Sequence, residues 1–261
     1  MINSALMNVM VKAARRAGRS LKRDLGEVEN LQVSMKGPAN FVSLADKRAE
    51  EMLYTDLNKA RPGYGFLGEE GGNREGTDKT HNWVVDPLDG TTNFLHGIPQ
   101  FAVSIGLLRE GVPIAGLIYN PANDELYMAE KGGGAFLNDT RLRVAGRKQL
   151  NECVIACGLP HIGRGDHEQS RKEMAALQPK VAGLRRFGAA SLDLAFVAAG
   201  RLDGYWERNL QPWDIAAGII LIKEAGGTVS DIHGGDLLKT GNVVCGNEFV
   251  HGELTKILKP L

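Results

Sequence analysis

The residues with the clearest capacity for chemistry are carboxylates. In the stretch Trp83-Val84-Val85-Asp86-Pro87-Leu88-Asp89-Gly90-Thr91-Thr92-Asn93-Phe94 an apolar strand delivers Asp86 at its end. Pro87 interrupts ladder pairing, and Asp89 follows just before a glycine and two threonines. Two carboxylates emerging together repel and raise one another's pKa, so the pair needs a cation or a shared proton. Oxygen donors without histidine favour a hard ion, Mg²⁺ rather than zinc. Gly90-Thr91-Thr92 can open a helix whose backbone N–H groups cradle an anion, and phosphate is the anion that pairs naturally with Mg²⁺. The plain alternative is a strand-turn-helix junction in which Asp89 serves as a cap.

Two other places carry acids in suggestive settings. Phe66-Leu67-Gly68-Glu69-Glu70-Gly71-Gly72 sets adjacent glutamates between a short apolar strand and flexible glycines, and Pro212-Trp213-Asp214 opens a helix with an acid in its first turn. Each has an ordinary reading: a first-turn acid complements the helix dipole, and a Glu pair beside glycines is a solvated loop. His161, His167 and His233 have no partner motif and read as surface or loop residues.

These groups must be positioned by the elements around them. Ile2, Leu6, Met10, Ala13, Ala17, Leu21 and Leu25 recur at helical steps and predict one amphipathic helix ending near Gly26. A second helix is expected after the Gly37-Pro38 break, with Ser43 as N-cap, apolar positions at Ala45, Ala49, Met52, Leu53 and Leu57, and a stop at Arg61-Pro62-Gly63. Short β-like runs at 83–86, 102–108, 113–119, 125–129 and 135–137, separated by turn residues, predict a meander. Beyond about residue 146 strands and helices alternate, with strands at 154–156, 202–206, 228–231 and 243–245 and helices near 166–177, 190–199 and 215–225. The expected organisation is an N-terminal α+β lobe, 1–145, with most of the acids, and a C-terminal α/β lobe, 146–261, with Asp214.

Composition narrows the class. A chain of 261 residues, 43% apolar and 24% charged, buries a sizeable core without staples. Its 31 basic residues balance 31 acidic ones, so no overall field draws it to nucleic acid or anionic membrane. The basic residues between Lys12 and Arg23 alternate with apolar ones and read as the wet face of a helix. Three cysteines, Cys153, Cys157 and Cys245, are an odd number without metal-ligand spacing and read as buried thiols of a cytoplasmic protein. No apolar run is long enough for a membrane span and no signal-type segment opens the chain, so a soluble, unexported protein is expected.

Taken together, Gly-Glu-Glu at 68–70, Asp-Pro-Leu-Asp-Gly-Thr-Thr-Asn-Phe at 86–94 and Trp-Asp-Ile-Ala-Ala-Gly at 213–218 resemble the motifs of the inositol monophosphatase family in order and spacing. Lys131-Gly132-Gly133-Gly134-Ala135-Phe136 and Glu224-Ala225-Gly226-Gly227 extend the resemblance over nearly the whole chain, and Ala198-Ala199-Gly200-Arg201-Leu202-Asp203-Gly204 resembles the bacterial extragenic-suppressor branch.

The resemblance implies a layered α/β/α/β/α sandwich and a site for two to three Mg²⁺ ions. It assigns Glu69, Asp86 and the carbonyl of Leu88 to one ion and Asp86, Asp89 and Asp214 to a second, with Glu69 and Glu70 beside a weaker third. Gly90 and Thr91 match positions whose N–H groups hold phosphate. Thr91 and Asp46, with Glu69, match groups that orient the attacking water. Asn40 and Ser43 stand where the family commonly has Asp and Thr. Glu207, Gly188 and Ala190 match positions facing the inositol ring.

The implied activity is Mg²⁺-dependent, Li⁺-sensitive hydrolysis of a small phosphate monoester by activated water, with myo-inositol 1-phosphate foremost. The sister specificities are fructose 1,6-bisphosphate, histidinol phosphate, a 3′-phosphoadenosine nucleotide or an NADP-type phosphate. The resemblance also implies a homodimer and, through the extragenic-suppressor branch, an association with RNA polymerase or antitermination factors.

Overall fold

The computed structural model describes residues 4–25, 33–37, 40–163 and 165–261. Helix α1 (Ala5–Leu25) buries Met7, Met10, Ala13, Ala17 and Leu21, the face marked by the sequence period. A hairpin of β1 (Val33–Gly37) and β2 (Asn40–Ser43) leads into α2 (Leu44–Ala60). Ile2, Gly26, Pro38 and the side chains of Asn40 and Ser43, including the expected cap, lie outside the described residues.

The larger sheet contains β3 (Gly65–Gly68), β4 (Gly72–Arg74), β5 (His81–Asp89), β6 (Ala102–Arg109), β7 (Val112–Asn120), β8 (Glu125–Glu130), β9 (Gly134–Leu137) and β10 (Thr140–Arg141). Its order is β10-β9-β8-β7-β6-β5-β3-β4, so β5 to β9 form the expected meander, antiparallel throughout, and β10 adds a short strand that was not expected. Strand β3 pairs parallel to β5. The short helix α3 (Thr91–Leu95) lies between β5 and β6.

The smaller sheet is built from β11 (Val154–Cys157), β12 (Gly183–Arg185), β13 (Gly204–Glu207), β14 (Thr228–Asp231) and β15 (Val243–Gly246), in the order β12-β11-β13-β15-β14. Its helices are α4 (His167–Leu177), α5 (Ala190–Ala198), α6 (Pro212–Glu224), α7 (Leu237–Thr240) and α8 (Glu248–Leu258).

Helices α1 and α2 cover one face of the larger sheet, while α5 and α6 fill the space between the two sheets. Helix α8 packs on β15 from the far side and α4 packs on α8, completing an α/β/α/β/α stack. The inner helices have no wet side, and α6 is accordingly buried without a break from Ile215 through Ile222. It lies so close to the larger sheet that a Cβ on Gly116 would stand 2.8 Å from Ala217 Cα. A glycine at that strand position is what allows the helix to settle there.

Helix α8 was not expected from the sequence; Asn247 caps it by accepting from Val250 N, and Val250, Leu254 and Leu258 repeat every fourth residue on its buried side. The three cysteines are buried and unpaired. Among the described residues no helix is long and apolar enough to cross a membrane.

Candidate active site

The strand that carries Asp86 does not end there. In the β5–β6 pairing Asp86 faces Ser104 and Asp89 faces Ala102, so three steps along β5 match two along β6. That mismatch is a bulge. Pro87 occupies it, where a missing N–H leaves no ladder donor wanting. Proline therefore marks a kink within the strand rather than its terminus, and the kink brings both acids to one end of the sheet. Asp86 is buried, and its Oδ1 accepts from Leu88 N at 2.9 Å.

Asp89 is held from helix α5, between the two sheets. Its Oδ2 accepts from Ser191 N at 2.7 Å and from Ser191 Oγ at 2.5 Å, both in the first turn of α5. Asp214 lies in the first turn of α6, where its Oδ2 accepts from Gln211 N at 2.7 Å in a reciprocal capping box. Ser104, the cross-strand partner of Asp86, donates through Oγ to Trp213 O at 3.2 Å and ties the start of α6 to this end of the sheet.

Glu69 follows β3, and its N–H bonds Val85 O at 3.2 Å, which continues the β3–β5 pairing and sets Glu69 beside Asp86. The next two N–H groups, of Glu70 and Gly71, donate to the Oε2 and Oε1 of Glu50 at 2.8 and 2.7 Å. Thr91 Oγ1 is within hydrogen-bond reach of Asp46 Oδ1 at 3.2 Å and of Leu88 O at 3.0 Å. Asp46 is buried in the first turn of α2. Gly90 has φ 86°, a left-handed conformation that turns the chain from β5 into α3.

A cavity of about 210 Å³ opens over this floor. Glu69, Asp86, Leu88, Asp89, Gly90, Thr91, Gly188, Ala190, Glu207 and Asp214 all line it, so most of the expected site residues converge. Asp46 stands behind Thr91, and Glu70 is not part of the lining. Glu207 packs against Gly158, with no room for a Cβ there, and accepts from the Tyr205 hydroxyl. His161 is on the rim, and His233 Nε2 meets Arg208 Nη1 at 3.0 Å.

Three residues of this site have no place in the sequence reading: Glu50, Ser191 and Asp193. Glu50 follows Asp46 by four positions on α2, a spacing that places both on one face. Ser191 follows the Gly188-Ala189-Ala190 turn directly. Asp193 is buried on α5, lines the cavity, and has an Oδ1 with no hydrogen-bond partner among the described residues.

The electrostatics are those of crowded acids. Burial, then Glu69, Asp89 and Asp214, pushes the Asp86 carboxyl well above the usual range, against the lowering effect of the Leu88 N–H. Burial raises Asp89 to about 6, against the lowering effect of both Ser191 hydrogen bonds. Asp193 is raised by burial and then by Glu207 and Asp89. No cation appears among the main influences on Asp86 or Asp89.

An all-oxygen set of carboxylates, with Asp86 and Asp89 buried and Glu69 and Asp214 half-buried beside them, suits a hard divalent ion. As the side chains lie, no three His, Cys, Asp or Glu groups are clustered at ligand spacing among the described residues. Asp89 Oδ2 turns to Ser191 and Asp214 Oδ2 to Gln211, which directs one oxygen of each toward the backbone instead of toward the others.

A pH dependence follows from Asp89. A carboxyl whose folded pKa is raised from 3.8 to about 6 binds its proton more tightly folded than unfolded. Its contribution therefore lowers stability as pH rises through that window. In chelator the melting temperature is expected to fall between about pH 4 and 6 relative to an Asp89→Asn variant, and added Mg²⁺ to recover it above pH 6. Parallel melting curves for the two proteins, with no Mg²⁺ effect, would remove the basis for this electrostatic picture.

A model of the inositol monophosphatase family matches residues 3–260. The chain belongs to the inositol monophosphatase family. It is 62% identical over 260 residues to an inositol-1-monophosphatase of Mesorhizobium japonicum, covering 99% of this chain and 98% of that one. Among solved structures, the extragenic suppressor protein suhB of Bartonella henselae superposes with a TM-score of 0.95 at 57% identity, covering 98% and 99% of the two chains. The Nus factor SuhB of Escherichia coli is 42% identical over 243 residues, covering 93% of this chain and 91% of that one. The chain is thus an enzyme, a phosphoric monoester hydrolase of the inositol-phosphate phosphatase class. Its substrates are phosphate esters, and its family is generally metal-dependent.

Proposed function

We propose that this phosphatase hydrolyses myo-inositol 1-phosphate to inositol and phosphate, with Mg²⁺ held by Glu69, Asp86, Asp89, Asp214 and the carbonyl of Leu88, and with Glu70 beside a weaker third ion. The observation that carries the reading is Asp86, buried beneath three further acids at the floor of the cavity and balanced by no protein cation among its main influences. Family membership supports two to three ions, sensitivity to Li⁺, a homodimer and a cytoplasmic location.

Bound there, Mg²⁺ supplies Lewis acidity, which lowers the pKa of water and offsets negative charge on phosphate. The backbone N–H groups of Gly90 and Thr91, at the turn into α3, hold the phosphate oxygens. A Thr91 hydroxyl that donates to Asp46 Oδ1 keeps its lone pairs for an incoming water, orients it toward phosphorus and passes its proton toward Asp46. Glu207 accepts hydrogen bonds from hydroxyls of the leaving group, and the small side chain of Ala190, with Gly188, leaves room for its ring.

The test is phosphate release from a panel at equal enzyme and Mg²⁺ concentration: inositol 1-phosphate, fructose 1,6-bisphosphate, histidinol phosphate, a 3′-phosphoadenosine nucleotide and NADP. Inositol 1-phosphate is expected to give the highest kcat/KM, and Glu207→Gln to lower that value about tenfold, the loss of one charge-assisted hydrogen bond. A higher kcat/KM for another member would reassign the substrate.

The similarity to a protein named Nus factor SuhB favours a second reading, in which the chain also binds RNA polymerase or antitermination factors. An Asp89→Asn protein, impaired in turnover, separates this role from catalysis when used as bait for purified polymerase.

A further inference from the structure

Helix α2 contributes two buried acids one turn apart, Asp46 and Glu50. Asp46 meets Thr91, whereas Glu50 touches none of the reacting groups and instead grips the chain that carries Glu69 and Glu70. Both of its carboxylate oxygens are engaged by successive backbone N–H groups, Glu70 N at 2.8 Å and Gly71 N at 2.7 Å. The grip is possible because residue 68 is glycine: a Cβ there would stand 2.4 Å from Glu50 Oε2. We propose that Glu50 is a positioning residue that fixes the 68–71 turn, aims Glu69 and Glu70, and thereby sets the affinity of the site for Mg²⁺.

Burying a carboxylate is unfavourable and Glu69 adds to the cost, which the two N–H groups and then Arg74 offset, so a neutral acceptor would suffice if closing a turn were the whole task. Only an anion offers two strong acceptors in one plane. Two bonds to consecutive N–H groups set both the position and the rotation of the turn, and rotation decides where the side chain of residue 69 points. Groups behind metal ligands commonly act in this way on affinity.

The inference rests on the reading that Glu69 and Glu70 bind Mg²⁺, and the experiment separates the two. Mg²⁺ binding is measured by calorimetry without substrate, alongside phosphate release across an Mg²⁺ series. Glu50→Gln keeps the shape but leaves one acceptor and turns an N–H donor onto a backbone N–H. It is expected to weaken Mg²⁺ binding by about tenfold or more and raise half-saturating Mg²⁺ equally, with little change in kcat at saturation.

Glu224 makes the same kind of two-point grip, on Gly132 N and Gly134 N at 2.8 Å each, at a turn outside the cavity. Glu224→Gln is therefore the control for a purely structural clasp and is expected to lower the melting temperature with unchanged Mg²⁺ affinity. Should Glu50→Gln fail to fold, Gly68→Ala takes its place, since it keeps the carboxylate but displaces it, and is expected to weaken Mg²⁺ binding in the same direction. Mg²⁺ affinity equal to that of the unsubstituted chain, in whichever of these two variants folds, overturns the role of Glu50. An unsubstituted chain that binds no Mg²⁺ overturns instead the metal reading on which it rests.

Discussion

Replacing Asp89 by Asn is expected to reduce Mg²⁺-dependent phosphate release by at least about 100-fold, or roughly 2.7 kcal/mol of barrier, with a comparable loss for Asp214→Asn. The substitution is nearly isosteric, and the amide oxygen still accepts from Ser191 N and Oγ, so the link between β5 and α5 survives. What is lost is one negative charge. Because burial raises Asp89 to about 6, removing that charge relieves the folded state at neutral pH. Activity and stability should therefore move in opposite directions: phosphate release falls, while the melting temperature in chelator holds or rises. This pairing excludes unfolding as the cause of a loss. Full activity in both variants would sink the assignment of these acids to the metal, and a lowered melting temperature in Asp89→Asn would show that its charge contributes to the fold.

The second large effect concerns the proton path. Thr91→Ala removes the hydroxyl that meets Asp46 and Leu88 O but keeps the backbone N–H proposed to hold phosphate. It is expected to lower kcat by about 100-fold, the usual scale of general acid-base assistance, with KM and half-saturating Mg²⁺ nearly unchanged. Asp46→Asn should give a loss of the same order, and the double substitution should cost little more than either alone, since the two groups act as one unit. Thr91→Ser restores the hydroxyl and should recover most of the rate. If Thr91→Ala instead raises half-saturating Mg²⁺ while sparing kcat, the hydroxyl supports the metal site and the relay is wrong.

These two experiments divide the acids by mechanism. Asp89 and Asp214 are expected to answer to Mg²⁺, and Asp46 to kcat, although all three are carboxylates at element ends. Glu50 forms a third kind, with its effect on Mg²⁺ affinity but not on the rate at saturation. A single Mg²⁺ series across the variants distinguishes them.

Much of the scaffold is local in origin and so was legible in the chain. The period of Met10, Ala13, Ala17 and Leu21 marks the buried face of α1, and short β-like runs between turn residues mark the meander from β5 to β9. Pro87 is compatible with a strand end or with a bulge, and only the pairing of Asp86 with Ser104 and Asp89 with Ala102 selects the bulge. Helix α8 was legible in principle from Asn247 and the spacing of Val250, Leu254 and Leu258.

By itself the sequence determined which groups are available: carboxylates at 69, 86, 89 and 214, a Gly-Thr-Thr turn, and the strands and helix starts that present them. Side-chain type and local backbone preference are properties of neighbours along the chain. Tertiary structure alone decided which of those groups meet. Glu50 reaches Glu70 across 20 positions, Asp46 reaches Thr91 across 45, and Ser191 reaches Asp89 across 102. Each of these bonds depends on how helices pack against the larger sheet, and close packing is set by the shape of whole faces, which no short stretch of sequence contains.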